Sequence, residues 1–107
     1  MPELCDLTCK ACRGDMPALK GEELRGYGRH VPDWQVVDEH HLARTFRFPD
    51  FVSALAFVNR VGELAETEGH HPNIFLAWGK VTVEVWTHKV DALTESDFIL
   101  AAKIDRL

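Results

Sequence analysis

Residues 67 to 73 read TEGHHPN, two adjacent histidines with a glycine before them and a proline after. Imidazole changes charge near neutral pH and also ligates zinc, so the pair could serve a proton or a metal. Gly69 suits the left-handed residue that stops a helix. Pro72 pushes His71 out of the α region into extended backbone. The carbonyls at the preceding helix end carry partial negative charge, and with Glu66 and Glu68 they favour imidazolium. A histidine in that field can act as an acid. Neighbours in a regular strand point to opposite faces, so both rings reach one site only if the chain turns at Gly69–His70.

His88 stands at the end of a later strand, on the face of Glu84 and Trp86. A strand edge and a helix end can converge on one cleft. Three histidines and a water could hold zinc. Adjacent histidines chelate less readily than pairs two apart on a strand or four apart on a helix, and no HExxH spacing occurs. Without metal, the set suits two proton transfers with no covalent step, such as elimination of water. No Ser or Cys nucleophile stands in this stretch to suggest acyl chemistry. The residues alone give an acid/base site of His70, His71 and His88. The other three histidines, His30 near a helix end and His40 and His41 at a hairpin tip, are expected to be solvated and structural.

These groups must be positioned by a chain of 107 residues, 46% hydrophobic and 27% charged, with net charge -5. That length fits a single domain burying roughly two thirds of its unfolded surface. An acidic balance without a basic run argues against a nucleic-acid backbone binder. No apolar stretch approaches the ~20 residues of a membrane span, and no signal-peptide layout opens the chain, so a cytoplasmic, soluble protein is expected. Cys5, Cys9 and Cys12 cluster in CDLTCKACRG. An odd count speaks against a disulfide framework, and one C-x-x-C is half a zinc site, so reduced thiols on a flexible arm, residues 1–18, are expected, with a metal clip or redox-sensitive pair as the alternative. Residues 19–107 form the domain.

A weak helix is expected around Glu22 to Arg29, then strands at Trp34–Asp38 and Leu42–Phe48 with the EHH tip between them. DFVSALAFVNRVGELAETEG is the strongest helix. Phe51, Ala54, Leu55, Val58, Val61, Leu64 and Ala65 repeat at the spacing of one buried stripe, with Asp50 as start and Gly69 as stop. NIFLAW and KVTVEVWTH read as strands turning near Gly79–Lys80. In the last, Val81, Val83 and Val85 share a face, opposite Thr82, Glu84, Trp86 and His88. TESDFILAAKIDRL opens with Thr94 and Asp97 at capping-box spacing and continues as a helix. The order α-β-β-α-β-β-α implies an α+β, two-layer domain, a four-stranded antiparallel sheet with three helices on one face.

The spacing of Glu66, His70-His71-Pro72, Trp78, His88 and Asp97 resembles the signature of the pterin-4a-carbinolamine dehydratase family. GYGRHVPDWQVV and FRFPDFVSALAFVNRVGELAE are similar to that family too, and CKACRGDMPAL resembles the arm of some bacterial members. The resemblance implies dehydration of 4a-hydroxytetrahydrobiopterin, or a related pterin, to quinonoid dihydropterin, recycling the cofactor of an aromatic amino-acid hydroxylase. It implies that His70 and His88 are the acids for the two faces of the 4a-carbon, and that His71 binds substrate and assists as base. Glu66, Gly69, Pro72, Trp86 and Thr87 would line the substrate. No metal or redox cofactor is implied, the pterin being the substrate, and a homodimer or homotetramer is expected. Gly69 stands where a polar residue often precedes the pair, which would deprive His70 of an orienting hydrogen bond. Trp86 replaces a small polar residue of animal members and would wall the pocket or narrow it. Asp97 is expected to cap its helix whatever the chemistry, Trp78 to pack, and Glu66 to orient His70 or lie on the helix surface. Family members also act as dimerisation cofactors for a transcription factor, and dehydratase-like proteins as Rubisco assembly factors. A non-catalytic binding or assembly module is therefore the alternative. Retention of all three histidines favours the enzyme.

Overall fold

The computed structural model describes residues 17–107; Cys5, Cys9 and Cys12 lie outside them. The elements run α1 (Gly21–Gly28), β1 (Gln35–Val37), β2 (His41–Arg47), α2 (Phe51–Glu68), β3 (Asn73–Ala77), β4 (Lys80–Val85) and α3 (Glu95–Ile104), the expected α+β order. The four strands form one antiparallel sheet in the order β1-β2-β4-β3, so β4 lies between β2 and β3. No helix of the described residues is long and apolar enough to cross a membrane.

Period-2 patterning decides which face is covered. Val81, Val83 and Val85 are fully buried together with Leu42. Phe98, Ile99, Leu100 and Ile104 of α3 and Ala54, Phe57, Val61 and Ala65 of α2 are buried as well. On the opposite face the hydroxyls of Thr45 and Thr82 meet at 2.9 Å. The buried stripe of α2 differs from the expected one. Phe57 replaces Phe51 and Leu55, which are exposed beside Val52. Phe57 packs on Phe46 and Phe48 of the β2 end (ring centroids 4.6 and 5.2 Å), so the sheet edge selects that face of the helix.

The ends of α2 follow the sequence closely. The Asp50 carboxylate accepts from the Ser53 N–H at 2.8 Å, and Gly69, at φ 64°, closes the helix with its N–H on Ala65 O. The turn between β3 and β4 falls on Trp78–Gly79, one residue earlier than expected. Gly79 has φ 72°, and a Cβ there would approach Phe48 O at 3.1 Å.

α1 is tied to α3 by Tyr27, whose hydroxyl donates to Glu95 Oε2 at 2.7 Å. That hydrogen bond, then burial and the charges of Glu95 and Glu23, push the Tyr27 phenol up to about 12. A raised phenol pKa adds stability that is complete below the ordinary value of ~10 and is lost as pH climbs through the folded value. Tyr27 is the sole tyrosine of the chain, so its phenolate absorbance reports this group alone. Alkaline titration of the native protein is expected to show a midpoint of about 12. A native midpoint equal to that of the denatured chain would disprove the bond.

Candidate active site

One end of the sheet gathers the chemistry, and strand register explains why. Asn73 of β3 pairs with Glu84, and Leu42 of β2 pairs with Val85. Carried past the strand ends, these registers set His71 abreast of Trp86 and His70 abreast of Thr87 on the β3 flank. On the β2 flank they set His41 abreast of Trp86. The segment Trp86–Thr87–His88 thus runs between two histidine pairs.

His70 and His71 diverge, as alternation demands. His70 turns to the helix side, is buried, and places Nε2 2.6 Å from Asp97 Oδ1. His71 turns outward and pairs with the exposed carboxylate of Glu66. Glu66 therefore serves His71 and not His70. An exposed pair of this kind contributes little to stability.

Asp97 carries the organisation of the site. It is completely buried, with Oδ1 on His70 and Oδ2 accepting from the Thr87 hydroxyl at 2.9 Å and the Thr94 N–H at 2.8 Å. The last contact belongs to a capping box that starts α3. The Thr87 hydroxyl has one proton and spends it on Asp97, so Thr94 donates the bond that joins the two hydroxyls at 2.8 Å. Three donors converge on one carboxylate. As a carboxylate only accepts, His70 must carry its proton on Nε2, which leaves Nδ1 as the nitrogen that can exchange a proton. The cap of α3 and the partner of His70 are the same residue. The orienting bond that Gly69 cannot give His70 comes from Asp97.

Thr87 is buried, its hydroxyl committed to Asp97 and Thr94 and its backbone bridged to Ala92. Its side-chain hydroxyl holds the network together. His88, the next residue, is exposed, with its ring centroid 4.5 Å from that of Trp86. Asp97 thus joins buried His70 to the segment that presents His88. Pro72 is half-buried and leads His71 into β3. Trp78 lies at the opposite end of the β3–β4 hairpin, 71% exposed, so it neither packs in the core nor meets the histidines.

Sequence reasoning missed two members of this end of the sheet. His41 is the first residue of β2 and not a hairpin tip, and both His40 and His41 are half-buried against Trp86, at centroid distances of 5.2 and 5.9 Å. The parity of His41 with Ala43 and Thr45 held a clue to its face. Among the described residues no three His, Cys, Asp or Glu side chains are grouped to hold a metal ion.

A family model described as pterin 4 alpha carbinolamine dehydratase matches residues 17–107. A protein of Rubrobacter xylanophilus, provisionally named a pterin-4-alpha-carbinolamine dehydratase, is 59% identical over the full length of both chains. A protein of Syntrophotalea carbinolica with the same provisional name is 50% identical, covering 100% of this chain and 98% of its own. The crystal structure of a transcriptional coactivator/pterin dehydratase from Brucella melitensis superposes with TM-score 0.79 at 33% identity, over 84% of this chain and 97% of that one. A pterin dehydratase-like RuBisCO assembly factor of the alpha-carboxysome shares the fold, with TM-score 0.57 at 24% identity over 68% of this chain and 83% of its own.

Proposed function

The chain belongs to the pterin 4 alpha carbinolamine dehydratase family, and from that premise we propose that it dehydrates a 4a-hydroxytetrahydropterin to the quinonoid dihydropterin. The observation that carries this reading is the buried His70–Asp97–Thr87 network, which fixes the working nitrogen of one imidazole and anchors the strand end that presents another.

The reaction needs two proton movements. An acid protonates the 4a-hydroxyl, the C4a–O bond breaks and water leaves. The N5 lone pair forms the C4a=N5 bond as a base accepts the N5 proton. His88 is exposed and supplies the acid on one face of the 4a-carbon; His70, acting through Nδ1, serves the other. His71 on the rim binds substrate and assists as base. Trp86 offers a flat aromatic wall beside His88, and Glu66, Gly69 and Pro72 shape the approach to the rim. No metal or redox cofactor enters this reading. An aromatic amino-acid hydroxylase would supply the carbinolamine, and the product would return to it after reduction. The exposed apolar turn of Phe51, Val52 and Leu55 supports assembly into a homodimer or homotetramer.

The test is direct. The carbinolamine is generated with a hydroxylase and its loss followed by absorbance, with and without this protein, before and after chelator treatment. Acceleration is expected, of the ~10²–10⁴-fold order of general acid/base catalysis, and unchanged by the chelator. No acceleration over spontaneous dehydration would exclude the enzyme. Activity lost to chelator and restored by zinc would show a metal mechanism instead.

A further inference from the structure

The dehydration chemistry leaves one ordered cluster unused, on the β2 flank of the same sheet end. The β1–β2 turn is made by Asp38 and Glu39, both at φ 53°, and closed by the His40 N–H on Val37 O at 2.9 Å. Turns of this kind usually employ Asn-Gly, because two left-handed residues with side chains are sterically costly. Asp91, in the loop after β4, is left-handed as well (φ 51°), and its carboxylate stands 2.8 Å from His40 Nε2. All three non-glycine residues at positive φ among the described residues therefore lie in two loops that this contact ties together.

The cluster has a polarity. The Asp91 carboxylate only accepts, so His40 donates from Nε2. With both rings neutral, His40 Nδ1 then carries a lone pair and receives the Nδ1–H of His41 across 3.2 Å. The chain ends on His41 Nε2, a lone pair with no partner among the described residues, on a ring whose centroid lies 5.9 Å from that of Trp86. Such an end accepts a hydrogen bond. The two loops that carry the chain hold Asp38, Glu39 and Asp91, a local negative charge that disfavours an anionic group and favours a neutral donor such as a hydroxyl.

Resting on the dehydratase reading above, we propose that His41 accepts a hydrogen bond from a hydroxyl on the C6 substituent of the reduced pterin. The Asp91–His40–His41 chain is then a specificity element of the site. In a pterin, C6 is joined to the reacting C4a through N5 alone, so a C6 substituent begins beside the catalytic imidazoles. Trp86 stands between His88 and His41, with centroid distances of 4.5 and 5.9 Å, and a substituent crossing it arrives at His41.

The experiment compares the carbinolamines of a dihydroxypropyl-substituted and a 6-methyl tetrahydropterin. In His41→Phe, which keeps the packing on Trp86, the ratio of their kcat/KM values is expected to fall about fivefold, the scale of one neutral hydrogen bond, and mainly through KM. Asp91→Ala is expected to lower the ratio in the same direction. His41→Gln, whose amide oxygen can sit near the Nε2 position, is expected to restore part of it. Fluorescence titration with the stable oxidised pterins bearing the same two substituents reads the preference as a ratio of Kd values, without turnover. If the wild type accelerates neither carbinolamine, the dehydratase reading falls while this titration still decides the role of His41. An unchanged ratio in His41→Phe, or equal losses on both substrates, would overturn the proposal.

Discussion

Asp97→Asn is expected to lower kcat by ~10²–10⁴-fold while leaving the fold intact, because the substitution keeps volume and reverses a hydrogen-bond polarity. Asp97 accepts from three donors, His70 Nε2, the Thr87 hydroxyl and the Thr94 N–H. An asparagine must aim its NH₂ at one side of that set. Aimed at His70, it demands a lone pair on Nε2, drives the proton to Nδ1 and inverts the tautomer that the site is built to hold. Aimed at Thr87 and Thr94, it sets donor against donor in a sealed position, at a cost of ~1–3 kcal/mol. Steady-state rates, a thermal melt and the nitrogen chemical shifts of the His70 ring separate the two arrangements. If kcat stays within a few-fold of wild type, Asp97 is a helix cap and nothing more.

That double role also explains what the sequence could and could not reveal. Thr94 and Asp97 at capping-box spacing predict a helix start, and the helix is there. That spacing explains Asp97 as a cap, and although the family signature also includes Asp97, neither pattern marks its second oxygen as the partner of His70. Local spacing sees contacts three residues apart; the His70–Asp97 contact spans 27 residues and exists because the first turn of α3 lies against His70 and Thr87. His41 was illegible for a related reason. Its meeting with Trp86 depends on the register between β2 and β4, which a hairpin pattern does not fix. The face of α2 was blurred because Phe51, Leu55 and Phe57 are equally apolar; the aromatic ends of β2 decide which of them is covered. The valine face of β4, the stop at Gly69 and the order of elements were legible because each rests on local chemistry.

The two catalytic imidazoles proposed here differ in a way that separates chemistry from architecture. His88→Ala removes an exposed ring from a loop whose backbone bonds remain: Thr87 to Ala92, and Asp91 N–H to His88 O. Its melting temperature is expected to stay close to wild type while kcat falls ~10²-fold or more. His70→Ala removes the partner of a carboxylate with no exposed surface. Leaving that buried carboxylate short of one donor costs ~1–3 kcal/mol, so this variant is expected to lose activity and to melt several degrees or more below wild type. The double variant then tests that division of labour. Acids on opposite faces of one carbon serve opposite epimers of the hydroxyl, so with a single epimer the double variant is expected to fall within about tenfold of the worse single variant. Fully multiplied losses would place both rings in the reaction of one epimer. A His88→Ala protein with wild-type kcat would move the acid from that strand end to His71.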